Sequence, residues 1–176
     1  MSWLTESTPG ISPLDRVLGL RPELARDLQH FHALFWERRL LPPALLELVR
    51  LHVARLLDCR SELGHRHTQE GHPVLAEDKI ASLAEIDRSP LFSETERACL
   101  AFADKFVFDV HGIEDTDVAK VHEQLGTAAT VALTEWLALC DGFMRLRRLL
   151  GIEPLAPLGT RAEPVPAPTL ASTSLV

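Results

Sequence analysis

The chain has few cysteines, no excess of basic residues and no long apolar run, and each shortage removes a class of function. Its three cysteines, Cys59, Cys99 and Cys140, are odd in number and far apart, which is not the pattern of a disulfide framework. Free thiols in a reducing compartment are expected instead. Eighteen Lys plus Arg stand against twenty-five Asp plus Glu, 18 − 25 = −7, and the basic pairs Arg38-Arg39 and Arg147-Arg148 sit inside otherwise apolar stretches. No nucleic acid is expected as a partner. No run approaches the roughly eighteen apolar residues of a membrane span, and Met1 to Leu20 lacks a basic segment followed by an apolar one. A cytoplasmic location without membrane contact is the expectation. Gly-rich phosphate loops, a nucleophile elbow and internal repeats are also missing.

What remains is ordinary globular material. With 176 residues, 46% apolar and 24% charged, the chain is about one domain long and buries roughly two-thirds of its unfolded surface. The pattern is helical throughout, with no strand pattern, so the fold class is all-α. Residues 1–20 carry Pro9, Gly10, Pro13 and Gly19 and read as an irregular arm with one helical turn around Leu14 to Leu18. The first helix opens at Arg21-Pro22-Glu23, where a proline is tolerated, and runs to about Arg39 on Leu24, Leu28, Phe31, Leu34 and Phe35. Pro42-Pro43 restarts the chain into a second helix ending near Leu57.

Asp58 is the expected N-cap of a third helix, which must stop by His72-Pro73. A fourth spans Ala76 to Ile86. Ser93-Glu94-Thr95-Glu96 matches a capping box and opens a fifth that ends before His111-Gly112. Asp115 or Thr116 caps a sixth, closed by Gly126, and a seventh runs from Thr127 to Leu150. That last helix is apolar on most sides, which places it in a core or an oligomer interface. From residue 152 onward, prolines recur among Ala, Ser and Thr; the expectation for residues 152–176 is an extended arm lying across a neighbouring subunit. The helical domain is then residues 21–151.

Chemistry concentrates in Asp58-Cys59-Arg60-Ser61-Glu62-Leu63-Gly64-His65-Arg66-His67. A cysteine at a helix start gains thiolate character from the dipole and the free N–H groups, so Cys59 is the candidate nucleophile. On a helix Glu62 lies one turn on, and His65 or Arg66 one turn beyond that. A cation near the thiol would lower its pKa, while ionised Glu62 or Asp58 would raise it. The plain alternatives are a buried cysteine acting as a small hydrophobe and a solvated helix face. Cys99 and Cys140 fall on apolar faces and read as structural. His65 and His67 diverge on a helix, which makes a zinc site a poor fit. No metal or other cofactor is expected. His30, His32, His52, His111 and His122 read as surface or packing residues.

The order PPALLELVRLHVARLLDCRSELGHRH, LAEDKIASL, FSETERACLAFADKF, ALTEWLALCDGFMRLRRLLGI resembles the carboxymuconolactone decarboxylase and alkylhydroperoxidase D-like superfamily over roughly residues 20–152. In that superfamily a Glu precedes, by twelve residues, a cysteine opening the next helix, usually as Cys-x-x-Cys-x-x-x-His; Glu47 and Cys59 keep the spacing. The resemblance implies an all-helical bundle, assembly into trimers or hexamers, and, in the peroxidase branch, thiol-dependent reduction of hydroperoxides. There the first cysteine resolves, the second attacks peroxide, and Glu and His relay a proton.

This sequence has Glu62 at the second cysteine position and Arg66 at the His position, flanked by His65 and His67. Cys-x-x-Glu occurs in the branch resembling gamma-carboxymuconolactone decarboxylase, where Cys, Glu and His lie in the pocket. Here Leu63 replaces the expected aromatic, and Pro73 intrudes where a glycine usually follows near position 74.

Three readings follow. In the first, Cys59 is a lone redox thiol acting on peroxides, assisted by Glu47, Glu62 and His65 and recycled by an external thiol reductant. In the second, a lyase or isomerase uses Glu62 or His65 to shuttle a proton on a small carboxylated substrate, with Arg66 or Arg50 holding its carboxylate. In the third, a homo-oligomer of two, three or six copies keeps the fold and has lost the chemistry.

Overall fold

One helix, α3 (Pro43–Leu56), forms the axis of the molecule, and ten of its fourteen residues are buried. Pro42, with φ −53 and ψ 133, sets the entry, and Pro43 sits where its missing N–H costs nothing. Leu46, Leu48, Val49, Leu51, Val53 and Ala54 are fully covered. The computed structural model describes residues 13–151 and, from the C-terminal segment, the backbone of Val165–Pro166.

Among the described residues there are eight α-helices. They are α1 (Pro13–Gly19), α2 (Pro22–Glu37), α3, α4 (Arg60–Gly64), α5 (Glu77–Ala81), α6 (Glu94–Phe108), α7 (Asp115–Leu125) and α8 (Thr127–Leu149). The mostly helical architecture agrees with the all-α expectation. Helix α3 packs on α4, α6 and α8, and α7 bridges α6 and α8. The core closes where Trp136 of α8 donates its indole N–H to the Leu46 carbonyl at 2.9 Å, which satisfies a fully buried donor. Leu133, Leu137, Cys140 and Met144 bury the same face of α8, while Val131 and Leu149 on other faces are exposed.

Local chemistry explains the boundaries. The capping box forms as expected: the Glu96 N–H donates to Ser93 Oγ, and the Ser93 N–H donates to the Glu96 carboxylate. For α7 the cap lies one residue earlier than expected, at Glu114, whose N–H donates to Asp117. The expected fourth helix is α5 followed by a 3-10 turn over Ser82–Glu85. Gly126, at φ +76, turns the chain between α7 and α8.

The largest departure lies after Cys59. The third helix, expected to stop by His72-Pro73, stops well before it: α4 is a single short turn, and His65 is already extended at φ −88, ψ 146. The chain then makes a hairpin from β1 (His67–Gln69) and β2 (His72–Pro73). Its two-residue turn is Glu70-Gly71, with φ +52 and +80, a mirror-image turn that suits the strand twist and needs left-handed backbone at both positions. A run of only three residues offers too little alternation to read as a strand. Two residues, Val165–Pro166 (β3), pair parallel with β1 of the same chain, giving the order β2-β1-β3. The rest of the arm expected over residues 152–176, and residues 1–12 of the N-terminal arm, lie outside the described residues.

Candidate functional site

Asp58 does not cap a helix. It occupies a left-handed position at φ +50, and the chain around it closes α3 rather than opening α4. The Cys59 N–H donates to the Ala54 carbonyl at 2.8 Å and the Asp58 N–H to the Arg55 carbonyl at 3.3 Å. These two bonds make a Schellman closure, in which glycine is the usual left-handed residue. Cys59 is thereby pinned at the junction, 2% exposed, as the N-cap residue of α4. A single-turn helix supplies little of the dipole that the sequence suggested for thiol activation.

The charge in this region comes from arginine instead. Arg50, on α3, is buried and uses all five of its N–H groups. Nε and Nη2 donate to the two oxygens of Glu47, each at 2.8 Å. Nη1 donates to the Glu62 carboxylate at 2.7 Å and to the Glu62 carbonyl at 2.9 Å, and Nη2 also reaches the His65 carbonyl at 3.0 Å. Arg50 thus ties α3 to α4 and to the start of the hairpin. Glu47 has a further donor in the His67 N–H at 3.2 Å.

Glu62 passes the network to α8, because its second oxygen lies 2.8 Å from Arg147 Nη2. Arg147 Nη1 donates to Ser61 Oγ at 3.4 Å, and Ser61 Oγ lies 3.6 Å from Cys59 Sγ. A connected path therefore runs Glu47, Arg50, Glu62, Arg147, Ser61, Cys59. Its two carboxylates and two guanidiniums balance in charge. Burial alone would raise the Glu62 carboxyl, but Arg50 and then Arg147 outweigh it and hold it down to about 2. Burial also opposes the charge on Arg50, and Glu47 and Glu62 more than offset this.

The hairpin decides which histidine faces the network. Along an extended chain, residues two apart share a side, so His65 and His67 turn inward together and Arg66 turns out. Arg66 is paired with Glu77 at 2.8 Å and donates to the Leu63 and His65 carbonyls; it does not join the cluster. His65 feels Glu62, Arg50 and Arg147, and burial lowers its pKa. His67 stacks on Trp36 with centroids 4.1 Å apart and planes at 20°, and burial, then Arg50, lowers it to about 4. His32 of α2 lies 6.2 Å from His67, centroid to centroid, and burial lowers it to about 4 as well. Both His32 and His67 are neutral imidazoles at pH 7.

Of the residues singled out from sequence, Glu47, Glu62 and Cys59 are thus joined, His65 borders them, and Arg66 stands apart. Both carboxylates are committed to arginine partners, Glu47 to Arg50 and Glu62 to Arg50 and Arg147. Sequence reasoning missed Arg147, His32 and His67. The Arg50 position, three residues after Glu47 on an apolar helix, was the available signal for a buried pair. His52, read as a surface or packing residue, takes the packing role: it is fully buried and its Nε2 lies 2.8 Å from Asp104. Cys99 is pushed up to about 12 by burial and then Glu96, and burial pushes Cys140 well up, as befits structural thiols. Among the described residues, no group of three or more His, Cys, Asp or Glu is placed to hold a metal ion, and no helix is long and apolar enough to cross a membrane.

No family model, curated protein or solved structure matches the chain.

Proposed function

We propose that this protein is a thiol-dependent, peroxidase-like oxidoreductase of the alkylhydroperoxidase D-like kind, with Cys59 as its redox residue. The observation that carries the proposal is the path from Arg147 through Ser61 Oγ to Cys59 Sγ. A hydroxyl oriented by a guanidinium can donate to sulfur, and a thiolate beside such a donor is stabilised relative to the thiol. In the step proposed, the Cys59 thiolate attacks one oxygen of a hydroperoxide. The S–O bond forms, the O–O bond breaks, and the departing alkoxide takes up a proton to leave as an alcohol. Two thiols from an external reductant then return the sulfenic acid to the thiol, releasing water and a disulfide.

With Glu62 where a second cysteine would stand, the reductant has to come from outside the chain, in keeping with a cytoplasmic thiol pool. Glu47 and Glu62 act by holding Arg50 and Arg147 in place, not by carrying protons. The proposed assembly is a homo-oligomer. The test is peroxide consumption with a small dithiol as donor, wild type against Cys59→Ser. Turnover lost in the variant supports the proposal; equal rates in the two proteins end it.

A second reading is favoured by one specific observation. His65 and His67 are inward-facing imidazoles with lowered pKa values beside a salt-bridged Glu62. A neutral imidazole can take a proton from carbon next to a carbonyl, which is lyase or isomerase chemistry. That reading requires activity which survives Cys59→Ser and falls in His65→Gln or His67→Gln.

A further inference from the structure

Two rings beside the charge network carry nitrogens with no hydrogen-bond partner among the described residues. Trp36 is 7% exposed, yet its Nε1–H has no acceptor among the described residues, and Nδ1 of His67, stacked against it, is buried and without a partner. The contrast with Trp136 is informative, since that indole, which is fully buried, donates to the Leu46 carbonyl. Buried donors are ordinarily satisfied, and an orphan in a native protein calls for an explanation; His52 Nδ1 and Arg16 Nε are others in this chain. Here two orphans occur on a stacked pair.

The surroundings define the occupant's charge. Arg50 has no N–H left, because Glu47, Glu62 and the Glu62 and His65 carbonyls take all five. The buried Nε–H of Arg147 has no partner among the described residues, but its charge is already matched by Glu62. Arg66 is turned away to Glu77. His32 and His67 are uncharged at neutral pH. A carboxylate entering here would find no uncommitted cation, and burying an unpaired anion is strongly unfavourable. A hydroxyl, hydroperoxyl or carbonyl group meets no such penalty.

We infer that Trp36 and His67 form a binding subsite for a neutral, oxygen-bearing organic molecule, whose oxygen accepts from Trp36 Nε1–H and pairs with His67 Nδ1. The subsite holds whether or not Cys59 reacts, so it goes beyond the thiol proposal and also tells against a carboxylated substrate at this position.

The probes are 2-phenyl-2-propanol, neutral and not reducible, and benzoate, an anion of similar ring size. Each is titrated into the full chain by calorimetry near pH 7.5. The alcohol is expected to bind saturably, with benzoate at least about tenfold weaker. Trp36→Phe keeps a ring and removes the donor, and is expected to weaken the alcohol by about tenfold, as for loss of one buried hydrogen bond. Absence of saturable alcohol binding, benzoate binding as well as the alcohol, or unchanged affinity in Trp36→Phe each overturns the inference. Should that variant fail to fold, the indole N–H resonances of the wild-type protein, which has three tryptophans, decide the matter. One must move on adding the alcohol, and none moving overturns the subsite. Because the probe cannot be reduced, failure here is separate from failure of peroxide turnover.

Discussion

Replacing Arg50 by Met should cost this protein about 3–5 kcal/mol, the usual consequence of removing one partner of a buried ion pair. The geometry places it in that range rather than among surface pairs. The Arg50 and Glu47 side chains are 3% and 1% exposed, so neither solvent nor salt screens them. Five donated hydrogen bonds disappear with the guanidinium. Glu62 still has Arg147 at 2.8 Å, but Glu47 keeps only the His67 N–H at 3.2 Å. An anion so enclosed must either stay charged at high cost or take a proton. At about 2–4 °C per kcal/mol for a domain of this size, the melting midpoint should fall by roughly 6–20 °C.

Urea unfolding at pH 7 measures the loss directly. The companion variant is Glu47→Leu/Arg50→Met, which removes one charge of each sign and leaves Glu62 and Arg147 matched. It should be more stable than Arg50→Met alone, because an apolar pair of similar volume can replace a buried ion pair at little cost. A loss below about 1 kcal/mol for Arg50→Met, or a double variant no better than the sum of its singles, would refute the buried-network argument.

Acid should act in two separate windows. His32 and His67 have folded pKa values of about 4 against 6.5 unfolded, so the unfolded chain binds more protons between these values, and stability falls as pH drops from 6.5 toward 4, by up to about 1.4 kcal/mol per pH unit for each group. Glu62, held at about 2 against 4.5, contributes about 3 kcal/mol that is fully present above pH 4.5 and is lost as pH falls through 2. Chemical unfolding at fixed pH should therefore show Glu62→Gln flattening only the lower window and His67→Gln only the upper. Alkylation with iodoacetamide at pH 8 should leave Cys99 and Cys140 unmodified in the folded protein and label them on unfolding, read by mass spectrometry; native labelling of either contradicts their burial. Asp58→Gly should be neutral or stabilising by up to about 1 kcal/mol, because the position is left-handed, and a loss of about 1 kcal/mol or more in thermal unfolding would restore an N-cap role.

The long helices were legible because most of them carry their own punctuation. Pro22 and Pro43 open α2 and α3, the Ser93 and Glu96 pair opens α6, and Gly126 separates α7 from α8. These are local signals, and local signals survive in a sequence. The hairpin was not legible for the same reason inverted. His67–Gln69 is too short for alternation to show, and Glu70-Gly71 is a weaker turn signature than Asn-Gly. Asp58 was misplaced because a short polar residue serves both as an N-cap and as a left-handed stop, and only the Ala54 and Arg55 carbonyl bonds tell the two apart.

That early end of α4 accounts for the arrangement of the whole site. Had the helix continued, His65 and His67 would have diverged, and Arg66 would have followed Glu62 by four residues on the same face. With the chain extended from His65 onward, two imidazoles turn in, Arg66 turns out to Glu77, and the cation that Glu62 requires comes from elsewhere. It comes from α8, as Arg147, eighty-five positions later, a pairing that no spacing rule within the motif could supply. The carboxylate at position 62 is thus the joint between α3, α4 and α8: Arg50 holds one oxygen and Arg147 the other. Arg147 then reaches Cys59 through Ser61. A cysteine at position 62 could not bind two guanidiniums in this way, so the Cys-x-x-Glu spacing and the paired arginines act together: Glu62 is the joint of a charge-balanced support that ends at the Cys59 thiol.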